Sequence, residues 1–353
     1  MSATSADAPP EAPPTPRTRS KMVTEVLSHE NTFLLVIVVA LVLVFTLLTP
    51  AGTFFSSVNF KAIALDTSEI LILAAGSTFV VIAAGIDLSI GSVVVFSAVV
   101  FAKVVASLSG TSGAFGGTAH NLAFAIPVSV LAAIAAGAGW GFINGYLTSR
   151  LKMPSFIVTL GTLGMALGFA QLLTGGLDVP NVPAQLQLQF GGASVAGIPW
   201  IVVVTAVVVA VLWIVLAKTR FGLRTYAIGA NAEGTRRAGV NVTRQMIGVF
   251  VLMGALAGLV GVLDVCRFGT ASINAHTQDN LTAIAAVVIG ATSLFGGKGR
   301  MSGTVIGAFI PAILRNGFIL LNVQPFWQNV AVGAVLIVAV YLDQQRRLRQ
   351  NLA

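Results

Sequence analysis

Apolar runs too long for a soluble core constrain this chain more than any other feature. From Thr32 onward there are ten candidate spans, roughly at 32–49, 63–84, 88–107, 122–147, 155–174, 199–217, 243–265, 281–294, 303–321 and 327–342. The hydrocarbon core of a bilayer takes about 20 apolar residues per helical crossing, and most of these runs meet that length. Composition agrees. Of 353 residues, 56% are hydrophobic and 9% charged, whereas a soluble domain carries about 25% charged residues to cover its core. The chain is therefore expected to be an all-α, polytopic membrane protein with about ten transmembrane helices. The eighth run is short for a straight crossing. It reads as tilted, broken or re-entrant, which membranes allow where irregular backbone is covered by protein.

The formal net charge of +8 follows the positive-inside rule rather than a nucleic-acid surface. With the N-terminus in the cytoplasm, the tails and inner loops hold 16 of the Lys and Arg residues, and the outer loops hold Lys61, Lys103 and Arg267. The last cation, Arg315, falls inside a span and must snorkel or pair. Both termini are then cytoplasmic, and the expected location is the bacterial inner membrane. Residues 1–30, rich in Ala, Pro, Ser and Thr, read as a disordered tail, 31–345 as the membrane domain and 346–353 as a second tail. The first apolar run is too long for a signal peptide. A lone cysteine, Cys266, cannot form an intramolecular disulfide and reads as a small apolar filler. His29, His120 and His276 lack ligand spacing, so no metal site is expected.

Glycines recur at small-xxx-small spacing (Gly137, Gly141, Gly145; Gly161, Gly164, Gly168; Gly254, Gly258, Gly261), a pattern that lets helix backbones approach closely. The longest inner loop, 218–244, is predicted to contain a short helix. Asn231 is placed as N-cap, Glu233 in the first turn and Arg236 and Arg237 near the end match the helix dipole, and Gly239 is a stop signal. On physical grounds such a helix suits either a soluble partner or lipid headgroups.

Four motifs in this order resemble the permease subunits of bacterial ATP-binding-cassette importers for ribose, xylose, galactose and autoinducer-2. They are Ala84-Gly-Ile-Asp-Leu-Ser-Ile-Gly-Ser92; Asn144-Gly with Arg150-Leu-Lys-Met-Pro-Ser-Phe-Ile-Val-Thr-Leu-Gly-Thr162; Ala227-Ile-Gly-Ala-Asn-Ala-Glu233 with Ala238-Gly-Val240; and Ala283-Ile-Ala-Ala-Val-Val-Ile-Gly-Ala-Thr-Ser-Leu-Phe-Gly-Gly297 followed by Gly303-Thr304. The resemblance covers about residues 60–345. It implies a second permease subunit, identical or similar, a cytoplasmic ATP-binding subunit and a periplasmic sugar-binding protein. It also implies a coupling helix at about 229–240, with Gly229, Asn231, Ala232, Glu233, Arg236, Ala238 and Gly239 as its contact residues. Two departures stand out. Asp279-Asn-Leu-Thr282 replaces the usual Glu-Leu-Asp pattern, and Arg237 replaces a common apolar residue.

No cofactor is expected in this chain. Gly296-Gly-Lys-Gly299 lacks the hydroxyl residue that a phosphate loop needs after its lysine to hold magnesium, so ATP and magnesium belong to a partner chain and this one is not an enzyme. Asp87, between the second and third spans, reads first as a cap accepting from the Ser89 or Ile90 amide, since an ionised carboxylate in lipid costs about 3 kcal/mol. A transport role is the other reading. Asp66, Glu69 and Asp264 read as solvated rim residues or as acceptors for a sugar. Polar groups inside spans that could meet an uncharged solute include Ser92, Asn144, Thr159, Thr292 and Asn316, which with Asp87 form the candidate translocation path. The rival to an ATP-driven permease is an ion-coupled secondary transporter, which should carry paired acids at mid-membrane. The acids here fall near span ends.

Overall fold

The computed structural model describes residues 29–110, 120–180, 182–324 and scattered positions from 326 to 341. Both proposed tails lie outside the described residues, except His29 and Glu30, as does much of the tenth span at 327–342. Among the described residues, eight helices are long and apolar enough to cross a membrane: α1 His29–Leu48 (the apolar part beginning at Asn31), α2 Ser57–Ile82, α3 Ile90–Ser109, α4 Leu122–Ser149, α5 Ser155–Thr174, α6 Trp200–Lys218, α9 Val242–Phe268 and α11 Met301–Leu320. Between them lie α7 Arg220–Ala230, α8 Ala232–Arg237 and α10 Asp279–Ile289. The chain is a multi-pass membrane protein.

The eighth span is a half-helix. α10 has 11 residues and rises about 16 Å, half a bilayer core. An irregular connection, 269–278, brings the chain back into the bundle before α10 begins. Residues 83–89 are likewise non-helical between α2 and α3. These two discontinuities meet. The Asn280 side-chain amide donates to the Leu88 carbonyl at 3.1 Å, and a Cβ on Gly91 would stand 2.1 Å from the His276 carbonyl oxygen. Backbone freed from helical bonding is thus covered by protein, as a low-dielectric surrounding requires.

α2 and α9 form the centre, with 78% and 67% of their apolar windows buried, while α1 has 17%. Leu73, Phe79, Phe250, Met253 and Leu263 are almost wholly enclosed there. α4 and α9 pack through their glycines: a Cβ on Gly137 would come within 2.2 Å of the Gly254 carbonyl oxygen, and one on Gly141 within 2.1 Å of that of Phe250. The α5 glycines differ. Among the described residues, Gly161, Gly164 and Gly168 have no neighbour within 4 Å of an added Cβ, so their spacing marks an open face there and not a helix–helix seam. Cys266 fills a second apolar cluster with Val105, Leu186 and Ala271.

Candidate coupling and translocation elements

The 218–244 loop folds into two helices where the sequence predicts one. Thr219 caps α7 by accepting from the Gly222 amide at 3.3 Å. Asn231 caps α8, its Oδ1 accepting from the Gly234 amide at 2.8 Å. Glu233 then pairs with Arg236 at 2.7 Å and Arg237 at 3.3 Å, all exposed. Such exposed pairs contribute little stability. Gly239 follows with φ +83°, a conformation that other L residues resist. α7 was missed because Arg220, Arg224 and two glycines break its apolar pattern. Its signal was the Thr cap together with Leu223, Ala227 and Ile228 at helical spacing. A groove of about 570 Å³ runs along both helices, lined by Leu223, Arg224, Asn231, Thr235 and Val240 among others.

This pair of helices is wedged against the bundle. A Cβ on Gly229 would lie 1.7 Å from the Ile82 carbonyl oxygen and 2.5 Å from the Gly297 amide nitrogen. The Gly297 amide itself donates to Ile82 O at 2.8 Å, and Tyr226 donates from its hydroxyl to Gly299 O at 2.8 Å. α7 therefore touches the end of α2, just before the 83–89 break, and the turn between α10 and α11. Ala232, Glu233, Arg236 and Ala238 sit beyond this contact, on the exposed part of the loop.

Three of the six candidate path residues come together. Asp87 Oδ1 accepts from the Ser89 amide at 2.9 Å and from its hydroxyl at 2.6 Å. Asp87 thus closes a turn ahead of α3, with Ser89 at the cap position. Asn144 donates to Ser89 Oγ at 2.8 Å and accepts from Thr162 at 2.7 Å. Thr159 donates to Ile86 O at 3.2 Å and Ser155 accepts from the Ile86 amide at 3.0 Å. α4 and α5 thereby clamp the 83–89 break. The other three are apart. Ser92 lies in the first turn of α3, Thr292 is in the α10–α11 turn beside Gly299, and Asn316 donates to Asn59 Oδ1 at 2.9 Å near the opposite end of α11. All six are buried, so none borders an open passage in this structure.

A charged network occupies the half of the bundle away from α7 and α8. Arg267 pairs with Asp66 and, at 3.3 Å, with Glu69. His276 Nδ1 is 2.6 Å from Asp279, and its Nε2 is 3.2 Å from Asp264 in an ion pair without hydrogen-bond alignment. Glu69 and Asp264 are buried and are not solvated rim residues; Arg267 and His276 lie against them inside the protein. Glu69, Asp264 and His276 present ligand atoms within 4.8 Å of one another. The sequence offered no metal spacing because the three come from separate segments, and here Arg267 and His276 already serve the two acids. Burial opposes a charged imidazole at His276. The carboxylates of Asp264 and Asp279 outweigh it and hold the pKa up at about 10. The signal overlooked was three charged pairs at i, i+3 spacing in an apolar chain: Asp66 with Glu69, Asp264 with Arg267, and His276 with Asp279.

A membrane bundle with broken crossings covered by protein, and a loop-helix pair wedged against one of the breaks, is the architecture that comparison with known proteins assigns to a permease subunit. Residues 59–340 match the family described as branched-chain amino acid transport system / permease component, and the chain belongs to that family. It is similar to the ribose import permease protein of Escherichia coli strain K12, at 36% identity over 88% of this chain and 93% of that protein. It is also similar to the fructose import permease protein of Rhizobium meliloti, at 34% over 83% and 79%, and to the D-allose transport system permease protein of E. coli, at 33% over 88% and 90%. No solved structure matches the chain. A permease subunit of this kind is a membrane component and not an enzyme.

Proposed function

We propose that this chain carries a monosaccharide or similar polyol into the cytoplasm, driven by ATP hydrolysis in a separate cytoplasmic subunit that docks on residues 229–240. The observation that carries this reading is the contact of Gly229 with Ile82. A force applied to α7 and α8 has no soft side chain to absorb it at that point, and it reaches the 83–89 break and the α10–α11 turn directly. A sugar-loaded binding protein on the far side and a second permease subunit complete the assembly. The relatives named for ribose, fructose and allose support a sugar over the amino acid in the family description.

The test is uptake of labelled sugars and of labelled leucine by cells that express the chain with its partners. Sugar uptake should stop on ATP depletion and survive a proton uncoupler; the reverse favours ion coupling, and leucine uptake alone sinks the sugar reading. Glu233→Ala or Gly239→Trp should leave the protein in the membrane while reducing uptake at least tenfold and weakening co-purification with the ATPase. Unchanged uptake and co-purification in both variants defeat the docking assignment.

A further inference from the structure

A cavity of about 430 Å³ opens beside the charged network, between α2, the 269–278 connection, α10 and α11. That volume lies in the range of small-molecule sites, about 300–1,000 Å³. Its polar wall comprises Asp66, Asn274, Gln278, Asp279, Thr282 and Arg315. Phe318 and Phe326 supply an apolar side.

Arg315 is the informative member. It is exposed within the spanning helix α11, five residues from its end at Leu320. Charged side chains in such helices face a partner or a water-filled cavity and mark solute pathways. Among the described residues, Arg315 has no ion pair, unlike Arg267 across the site. Its five N–H donors are directed by a rigid planar fork. Asn274 and Gln278 add exposed side-chain amides. The two carboxylates in the wall are already engaged, Asp66 by Arg267 and Asp279 by His276. An amino acid's ammonium group would have to share one of these carboxylates with Arg267 or His276. What remains is a set of uncommitted donors and amide acceptors beside aromatic rings, the complement of a ring or chain dense in hydroxyl oxygens.

We propose that this cavity is a transient binding site for a polyhydroxylated solute and that Arg315 is its specificity-determining donor. The proposal rests on the import reading for its biological direction, but the site is testable without the other subunits. Ala275 lines the cavity and carries no polar group the site needs. In membrane vesicles, Ala275→Cys should react with a membrane-impermeant methanethiosulfonate faster than Leu131→Cys on the apolar outer face of α4. The native Cys266 is buried, and the unsubstituted protein gives its background.

Ribose, fructose, galactose, allose, gluconate and leucine are the probes, each at millimolar concentration. A solute present at about twice its Kd should slow the Ala275→Cys reaction about threefold. Arg315→Met should abolish that protection without changing the unprotected rate, and Arg315→Lys should retain part of it. Protection greatest with gluconate assigns the acidic member of the same solute class. Protection by leucine alone, protection indifferent to Arg315→Met, or reaction no faster than at Leu131→Cys overturns the proposal. Protection without ATP-dependent uptake would sink only the import reading; uptake without protection would sink only this site.

Discussion

At the scale of single residues, His276 carries the sharpest consequence. It lies outside the spanning helices, yet it ties the 269–278 connection to α9 through Asp264 and to the start of α10 through Asp279. Glu69 on α2 also faces it, with Arg267 beyond. Its folded pKa of about 10 lies above the ordinary 6.5, so the native state binds a proton that the unfolded chain releases. The stabilisation is complete below about pH 6.5 and fades as the pH climbs through about 10. Thermal unfolding of the detergent-solubilised protein should therefore decline across that window, by an amount on the order of a few kcal/mol. His276→Gln should lower stability at pH 6 and flatten the decline. An unchanged slope in that variant would remove the imidazolium from the account.

At the scale of elements, glycine spacing has two meanings that only packing separates. Gly141 meets backbone of α9, while Gly164 meets nothing among the described residues. Gly141→Leu must push two helices apart, at about 1–3 kcal/mol or more, and should lower the melting temperature and broaden the protein's elution on size exclusion. Gly164→Leu should leave the melting temperature within a degree or so of the parent, because an added side chain there enters open space. Equal damage from both would mean that α5 is enclosed as α4 is. The sequence alone could not distinguish them, since both read as the same periodic pattern. Apolar length was the legible property, and the eight long helices follow it closely. The half-helix α10 was foreshadowed by its short run. The 83–89 break was foreshadowed as well, by the gap between the runs at 63–84 and 88–107 and by Asp87 as a cap ahead of the third span; how it is held was not. The clamp that holds it draws on Ser89, Asn144 and Thr162, which are far apart in the chain. The charged network was illegible for the same reason, although each of its three i, i+3 pairs was visible.

At the scale of the molecule, the arrangement joins one end of the bundle to the middle. α7 bears on Ile82; the next residues form the break that Asn144 and Thr159 hold; and Leu88 and Gly91 in turn meet Asn280 and His276, at the edge of the cavity containing Arg315. This geometry moves solute inward only if α7 and α8 face the cytoplasm. Charge supports that orientation. Arg150, Arg236 and Arg244 converge on one cavity beside α8, whereas Lys61 and Arg267 lie toward the other end of α2. The 16 to 3 division of cations expected from a ten-run topology is the kind that fixes topology during insertion. Single cysteines at Arg236 and Lys61, in a Cys266→Ala background, should be labelled from opposite sides by an impermeant maleimide: Lys61→Cys in intact spheroplasts, Arg236→Cys only in inverted vesicles. Labelling of Arg236→Cys in intact spheroplasts would reverse the bundle and leave an ATPase with no surface to act on. Labelling of both positions from one side would mean that an even number of crossings separates them instead of the five from α2 to α6, and the path from α7 to the Arg315 cavity would no longer run from one aqueous phase toward the other.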